Sequence, residues 1–113
     1  MTTADHAIAT RIRAVLRIDR DAPALEYEGR WHSWGALADA IDRVAPVVTI
    51  PGRPVGILLR NRPVLVGALL GVLSAGGCVV TINPERGLAR TRADVDELDV
   101  DVFLGLESDV REI

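Results

Sequence analysis

The most constraining feature of this sequence is a run of nineteen residues, Val64 to Ile82, that contains no charged side chain. A run of this length could cross a bilayer as one helix. However, Pro63 favours a helix start, Gly76 and Gly77 favour a helix end, and the β-branched residues 79–82 favour a strand. The run therefore predicts a buried helix followed by a buried strand, and no transmembrane segment.

The second half of the chain alternates apolar strand patterns with helical patterns. It predicts a strand over Val55–Leu59, a helix over Arg62–Ala75 capped by Asn61, a strand over Cys78–Ile82, a helix over Arg90–Leu98 and a strand over Val100–Leu104. Strands separated by helices and short connections are typical of a parallel sheet, here a βαβαβ unit. Because its first helix is apolar on every side, we expect it to be covered by protein beyond the sheet, including polypeptide outside this chain.

The first half predicts a helix, a short hairpin and a second helix. The helix covers Asp5–Ile18, the hairpin covers Ala24–Trp34 around Gly29, and Ser33 caps a helix over Trp34–Val44. A Pro- and Gly-rich cluster then divides the chain into residues 1–52 and residues 53–113. The predicted fold class is α/β, with both parts belonging to one larger N-terminal domain.

The charged residues exclude several classes of function. All thirteen basic residues are arginine, against sixteen acidic residues, for a net charge of -3. No basic run could follow a phosphate backbone, so nucleic acid is not an expected partner. The absence of lysine removes Schiff-base chemistry and phosphate-binding lysines.

The cysteine and histidines predict neither a disulfide nor a metal site. Cys78 is the only cysteine and lies in an apolar run, where we expect a buried, reduced thiol. His6 and His32 lack metal-ligand spacing, and the acidic residues of 94–101 lack the glycine and terminal Glu of a calcium loop. No metal-binding residue is predicted.

The aromatic residues and glycines predict packing and no ligand site. Trp31 and Trp34 are expected to pack over an edge of the core. Gly67 and Gly71 lie within a predicted helix, whereas a dinucleotide site needs glycines in the turn before the helix, and the turn 59–63 has none. No catalytic and no cofactor-binding residue is predicted.

An ordered set of motifs resembles a known family over residues 22–104. The set consists of Pro23-Ala24-Leu25, the Gly29 turn, Ser33-Trp34-Gly35-Ala36-Leu37, Val55-Gly56-Ile57-Leu58-Leu59-Arg60-Asn61, the helix Val64–Ala75, Gly76-Gly77 and Thr81-Ile82-Asn83-Pro84. It is similar to the start of the adenylate-forming (AMP-binding) superfamily. That superfamily includes acyl-CoA synthetases, the adenylation domains of peptide synthetases, and luciferases.

The resemblance implies a two-domain parent enzyme, most like a fatty-acid or related acyl-CoA synthetase, that uses ATP, Mg²⁺ and coenzyme A. In this superfamily the residues that grip phosphate, adenine and ribose lie further along the chain, so we expect this piece to be structural, inactive and without bound cofactor. Its expected partners are the remainder of its own enzyme domain, a carboxylic acid for the parent, and a second copy bound through exposed apolar surface.

Two other interpretations of the sequence stay open, as does its location. One is a free-standing flavodoxin-like module with a binding role, and the other is an adenylation domain that loads a carrier protein. The first seven residues lack the basic and apolar regions of a secretory signal, so a cytoplasmic location is expected.

Overall fold

The computed structural model describes residues 3–113, in which helices and strands follow the predicted order. The elements are α1 (Thr3–Leu16), β1 (Pro23–Tyr27), β2 (Arg30–Ser33), α2 (Trp34–Val44), β3 (Pro54–Leu58), α3 (Pro63–Ser74), β4 (Cys78–Ile82), α4 (Leu88–Glu97), β5 (Phe103–Leu104) and α5 (Glu107–Glu112). The α/β fold class is therefore confirmed. The sequence did not predict α5.

The sheet is parallel and has the strand order β4-β3-β5. Val55 of β3 pairs with Val79 of β4, and Gly56 of β3 pairs with Phe103 of β5. This arrangement confirms the parallel βαβαβ unit. The last strand is shorter than predicted, because only Phe103 and Leu104 lie in register with β3.

The hairpin and its junction with α2 form as predicted. β1 and β2 pair antiparallel, and the turn places Glu28 at φ 51° and Gly29 at φ 78°. Two successive residues with positive φ match the right-handed twist of a two-stranded ribbon. The Ser33 hydroxyl accepts a hydrogen bond of 3.1 Å from the Ala36 N–H, which confirms it as the cap of α2.

Helix α3 lies between the sheet and the first two helices. On one side Val72 packs with Val55 and Ile57 of β3, and all three side chains are fully buried. On the other side Gly67 and Gly71 let α2 approach closely. Part of the predicted cover beyond the sheet thus comes from α1 and α2 of this chain, while Val66, Leu69 and Leu70 stay partly exposed. The expectation that polypeptide outside this chain also covers the helix stays a prediction. At 12 residues α3 is too short to span a bilayer, and no other helix of residues 3–113 qualifies.

The predicted cap of α3 was wrong. The helix begins at Pro63, and the capping position belongs to Arg62, whose side chain makes no capping hydrogen bond. Asn61 lies one residue too early. A proline at the first helical position lacks an N–H and has a helix-compatible φ, so the start depends less on a side-chain acceptor.

Two burial predictions also failed because they depend on where a strand lies. Cys78 is exposed, since it is the first residue of the edge strand β4. Trp31 is 62% exposed on β2, whereas Trp34 is half-buried against Leu37 and Ile41. The core-edge prediction therefore holds for one tryptophan and fails for the other.

The division of the chain near residue 52 stays a prediction. Val66 and Leu70 of α3 pack against Leu37 and Ile41 of α2, so one apolar cluster contains residues from both predicted parts. This packing is consistent with both parts belonging to one domain.

Candidate functional site

A cleft of about 340 Å³ opens at the carboxyl end of β3, between the start of α3 and the hairpin. Its lining is mainly apolar and comprises Leu25, Leu59, Pro63, Val66, Leu69 and Leu70, with Glu26, Tyr27, Arg60, Asn61 and Arg62. Ligands of open α/β sheets bind outside the carboxyl ends of the strands, where neighbouring connections diverge. The chain leaves β3 toward β4 on one side and later reaches β5 on the other, so this carboxyl-end cleft is the candidate site.

The sequence builds the cleft by following a buried strand with a polar turn. Leu59 extends the sheet by one residue, since its N–H donates a 2.9 Å hydrogen bond to the Ile82 carbonyl. Residues 60–62 are polar, and Pro63 then starts α3. Apolar side chains therefore form the floor of the cleft, while Arg60 and Arg62 lie at its rim.

Arg62 and Tyr27 form one side of the rim. The Arg62 guanidinium lies 5.7 Å from the centre of the Tyr27 ring, within the range of a cation–π contact. Partial burial, followed by a hydrogen bond with Glu28, raises the pKa of the Tyr27 hydroxyl above its ordinary value. The phenol is therefore neutral near pH 7 and cannot act there as a general base.

Arg60 holds the C-terminal helix against the sheet. Its Nε and Nη2 atoms donate to Asp109 Oδ2 and Oδ1 over 2.6 and 2.8 Å, and Asp109 is 9% exposed. These hydrogen bonds lower the pKa of Asp109 and raise the pKa of Arg60. Because its Nε and Nη2 groups already bind the Asp109 carboxylate, Arg60 positions α5 and is poorly suited to bind a second anion.

The cleft can bind an apolar group, but it does not fit ATP with Mg²⁺. Binding of a nucleotide triphosphate commonly uses a lysine or the N–H groups of a Gly-rich turn, and the turn 59–63 offers neither. The described residues also contain no group of three side chains suited to hold a metal. No step of nucleotide chemistry can be assigned to this cleft.

The residues weighed from the sequence as possible metal or ligand-binding groups do not meet at the cleft. Cys78 lies at the amino end of β4, away from the carboxyl ends of the strands. His32 lines a separate hollow of about 240 Å³ with Val64, and Trp31 is exposed. The side chain of His6 lies outside the described part of the structure.

The rim residues Tyr27, Arg60 and Arg62 were not singled out from the sequence. Polar residues directly after a buried strand were the available signal, because that position faces the carboxyl edge of a parallel sheet. Their contribution depends on the hairpin folding back beside α3, which local patterns do not report. The prediction that the chain carries no catalytic residue stays a prediction.

Comparisons of the sequence with a family model and with known proteins lead to the same enzyme family. The family model described as AMP-binding enzyme matches residues 12–112. Surfactin synthase subunit 1 of Bacillus subtilis (strain 168) is 30% identical over 88 residues, which cover 74% of this chain and 2% of that protein.

Solved structures share the fold. A benzoate CoA ligase from Burkholderia xenovorans LB400 matches with a TM-score of 0.77 at 16% identity, over 94% of this chain and 22% of that one. A nonribosomal peptide synthetase with bound alpha-methyl-L-serine-AMP matches with a TM-score of 0.71 at 22% identity, over 90% of this chain and 14% of that one. The chain thus spans about a fifth of the length of the ligase and less of the synthetases.

Proposed function

The chain belongs to the AMP-binding enzyme family, and from this premise we propose that it forms the N-terminal structural part of an adenylate-forming ligase that activates a carboxylic acid with ATP. The observation that best supports this proposal is that 94% of the chain adopts the fold of one segment of a benzoate CoA ligase. The family match does not favour the free-standing flavodoxin-like module.

The proposed role of this segment is scaffolding. Acid activation brings a carboxylate and an α-phosphate together, and cationic and N–H groups must offset the charge that develops between them. Residues 3–113 contain no lysine, and the half-buried guanidinium of Arg60, at the carboxyl end of β3, is already bound to Asp109. The parent enzyme therefore needs its ATP- and Mg²⁺-binding groups from polypeptide outside this segment.

For the acceptor of the acyl group we propose coenzyme A, with a fatty or related acid as substrate. Support comes from the match to benzoate CoA ligase along nearly the whole chain. A carrier-protein thiol is the second candidate, supported by the 30% identity to a surfactin synthase subunit and by the match to a nonribosomal peptide synthetase. A cytoplasmic location belongs to the same proposal.

ATP–pyrophosphate exchange tests the proposed activity. The full-length enzyme that carries this segment should transfer label from pyrophosphate into ATP in the presence of at least one acid from a panel of fatty, aryl and amino acids. The isolated 113-residue chain is the matched control and should show no exchange above a blank without protein. The proposal would be refuted if the isolated chain catalysed the exchange, or if the full-length enzyme showed no exchange with any acid of the panel.

Product analysis then separates the two acceptors. With the activating acid, ATP and coenzyme A, the proposal predicts an acyl-CoA thioester detectable by mass. If acid activation is present but the product stays acyl-AMP until a carrier protein is added, the second candidate is correct. Fractionation of cells that express the tagged full-length enzyme tests its location.

A further inference from the structure

Helix α5 is attached to the rest of the chain mainly by polar contacts. The structure describes all six of its residues, Glu107–Glu112, and among them only Asp109 is buried. The apolar Val110 is 43% exposed. A surface helix usually docks by burying an apolar stripe, and six residues are too few to form a stable helix unaided. The contacts of Asp109 therefore decide whether α5 stays folded and docked.

Two arginines from other elements hold α5 in place. Arg60, in the turn after β3, donates hydrogen bonds of 2.6 and 2.8 Å to the Asp109 carboxylate. Arg92, on α4, donates from Nε and Nη2 to the Glu112 carbonyl over 3.0 and 2.7 Å. The Arg92 contact is exposed to water, whereas the Asp109 side chain is only 10% exposed. Because water competes less for a buried charge-assisted pair, the Arg60 contact contributes more.

The chain has a hinge between β5 and α5. Gly105 and Leu106 lie between these two elements and belong to neither. Leu106 packs against the core of the sheet, so the segment that can move begins at Glu107. A few connecting residues commonly absorb the backbone changes of such hinge motions. Rotation at this point moves α5 away from the sheet without breaking the pairing between strands.

Arg60 faces two spaces at once. It lines the carboxyl-end cleft, and it also lines a hollow of about 200 Å³ together with Asp109, Glu112 and Ile113 of the C-terminal segment. With α5 in place, Nε and Nη2 of Arg60 are bound to Asp109 and are not available to a group in the cleft. When α5 departs, the guanidinium keeps its charge and loses its carboxylate partner.

We propose that α5 is a clasp that opens as a unit while the sheet stays folded, and that its opening frees the Arg60 guanidinium at the carboxyl-end cleft. The closed clasp neutralises this cation with a carboxylate of the same chain. In the open state the cation faces the cleft with its donors exposed. The position of α5 therefore sets the charge that the cleft presents.

Nuclear magnetic resonance of the 113-residue chain measures both parts of the proposal. The ¹³Cα shifts of residues 107–112 report whether α5 is helical, and those of β3 report whether the sheet is intact. The exchange of the Arg60 Nε–H with water reports whether the guanidinium is bound. For the wild type we expect helical shifts in α5 and a slowly exchanging Arg60 Nε–H.

Asp109→Asn removes the charge of the buried carboxylate and one of its two acceptors. Loss of a hydrogen bond to a charged group shifts an equilibrium by roughly 10- to 100-fold. The shifts of α5 should therefore move to random-coil values, and the Arg60 Nε–H should exchange at least about tenfold faster. The shifts of β3 should stay in place.

Glu107→Gln is the matched control, because it makes the same acid-to-amide change on the same helix. Glu107 pairs with Arg111, and both side chains are 76% exposed. Exposed pairs of this kind contribute little to stability. This variant should keep the helical shifts of α5 and the slow exchange of the Arg60 Nε–H. Arg60→Met removes the other partner of the buried pair and should release α5 as Asp109→Asn does.

Three results overturn the proposal. One is an α5 that keeps its helical shifts in Asp109→Asn, and another is a Glu107→Gln variant that releases α5 as completely as Asp109→Asn. The third is an Arg60 Nε–H that still exchanges slowly once α5 has opened. If Asp109→Asn does not fold, Arg60→Met decides by the same shifts of α5 and β3. Joint loss of α5 and β3 in both variants shows that the helix does not open by itself, and overturns the proposal as well.

Discussion

Gly67 lies where α2 packs closely against α3, and replacing it with alanine tests how tightly the helices pack. A Cβ atom at Gly67 would lie 2.7 Å from the Cβ of Ala40 on α2. Comfortable carbon–carbon separations are about 3.5–4.0 Å. The helices would therefore have to separate by roughly 1 Å, because both atoms are attached directly to the backbone and cannot rotate away.

Two effects of Gly67→Ala oppose each other. Alanine improves helix propensity by about 1 kcal/mol. Overpacking a close contact costs about 1–3 kcal/mol, and we expect the upper part of that range because no side-chain torsion can relieve the contact. The expected result is a net loss of about 1–2 kcal/mol in the free energy of unfolding, or a fall of roughly 4–8 °C in Tm.

The compensating change Ala40→Gly makes the test specific. It removes the clashing Cβ, and the next nearest atom of residue 40 would lie 3.7 Å from the new methyl group, an ordinary contact. Ala40→Gly alone should lose about 1 kcal/mol of helix propensity. The double variant should return to within about 0.5 kcal/mol of the wild type, because both the clash and the propensity change cancel.

Urea unfolding of the four proteins, followed by far-ultraviolet circular dichroism, measures the coupling between Gly67 and Ala40. The reasoning is refuted if Gly67→Ala is as stable as the wild type. It is refuted equally if the double variant shows the sum of the two single losses, since the contact would then not be the cause.

Three further predictions concern the pH response, the core and a helix cap. Because the Arg60 hydrogen bonds lower the pKa of Asp109 in the folded chain, the stability they contribute is present above about pH 4 and lost as the pH falls through the folded-state pKa. Asp109→Asn should thus lower Tm at neutral pH and flatten its decline in acid. Val72→Ala empties a fully buried position and should cost about 2 kcal/mol in urea unfolding, whereas Val64→Ala, at a 56% exposed position, should change stability by less than about 0.5 kcal/mol. Ser33→Ala removes the cap of α2 and should cost about 1 kcal/mol by the same assay; an unchanged value would show that the cap is dispensable.

Local signals located several elements closely. The predicted bounds of α2 and β4 agree with the structure, because Ser33 marks one start and Gly76 with Gly77 marks the other. The start of α3 was misassigned to a side-chain cap at Asn61, although Pro63 sufficed. The predicted strand Val100–Leu104 was too long, because β5 has only two residues. Apolar character alone does not show how many residues of a segment pair with a neighbouring strand.

The carboxyl-end cleft could not be predicted from the sequence. Arg60 and Arg62 stand out only once β3 is known to be the central strand and the hairpin is known to lie beside α3. Tyr27 lies 35 positions before Arg62 in the sequence, yet the Arg62 guanidinium lies 5.7 Å from the centre of the Tyr27 ring. Periodicity reports which face of an element is apolar, and says nothing about which other element that face meets.

The sequence by itself determined the alternation of strands and helices, and with it the α/β class, because hydrophobic period and turn residues act over a few positions. It also determined that lysine chemistry is absent. Only the tertiary structure decided that α1 and α2 cover α3, that β4 is an edge, and that Arg60 binds Asp109, 49 residues away. Such contacts depend on closing long loops between distant segments, so their partners emerge only when the whole chain packs.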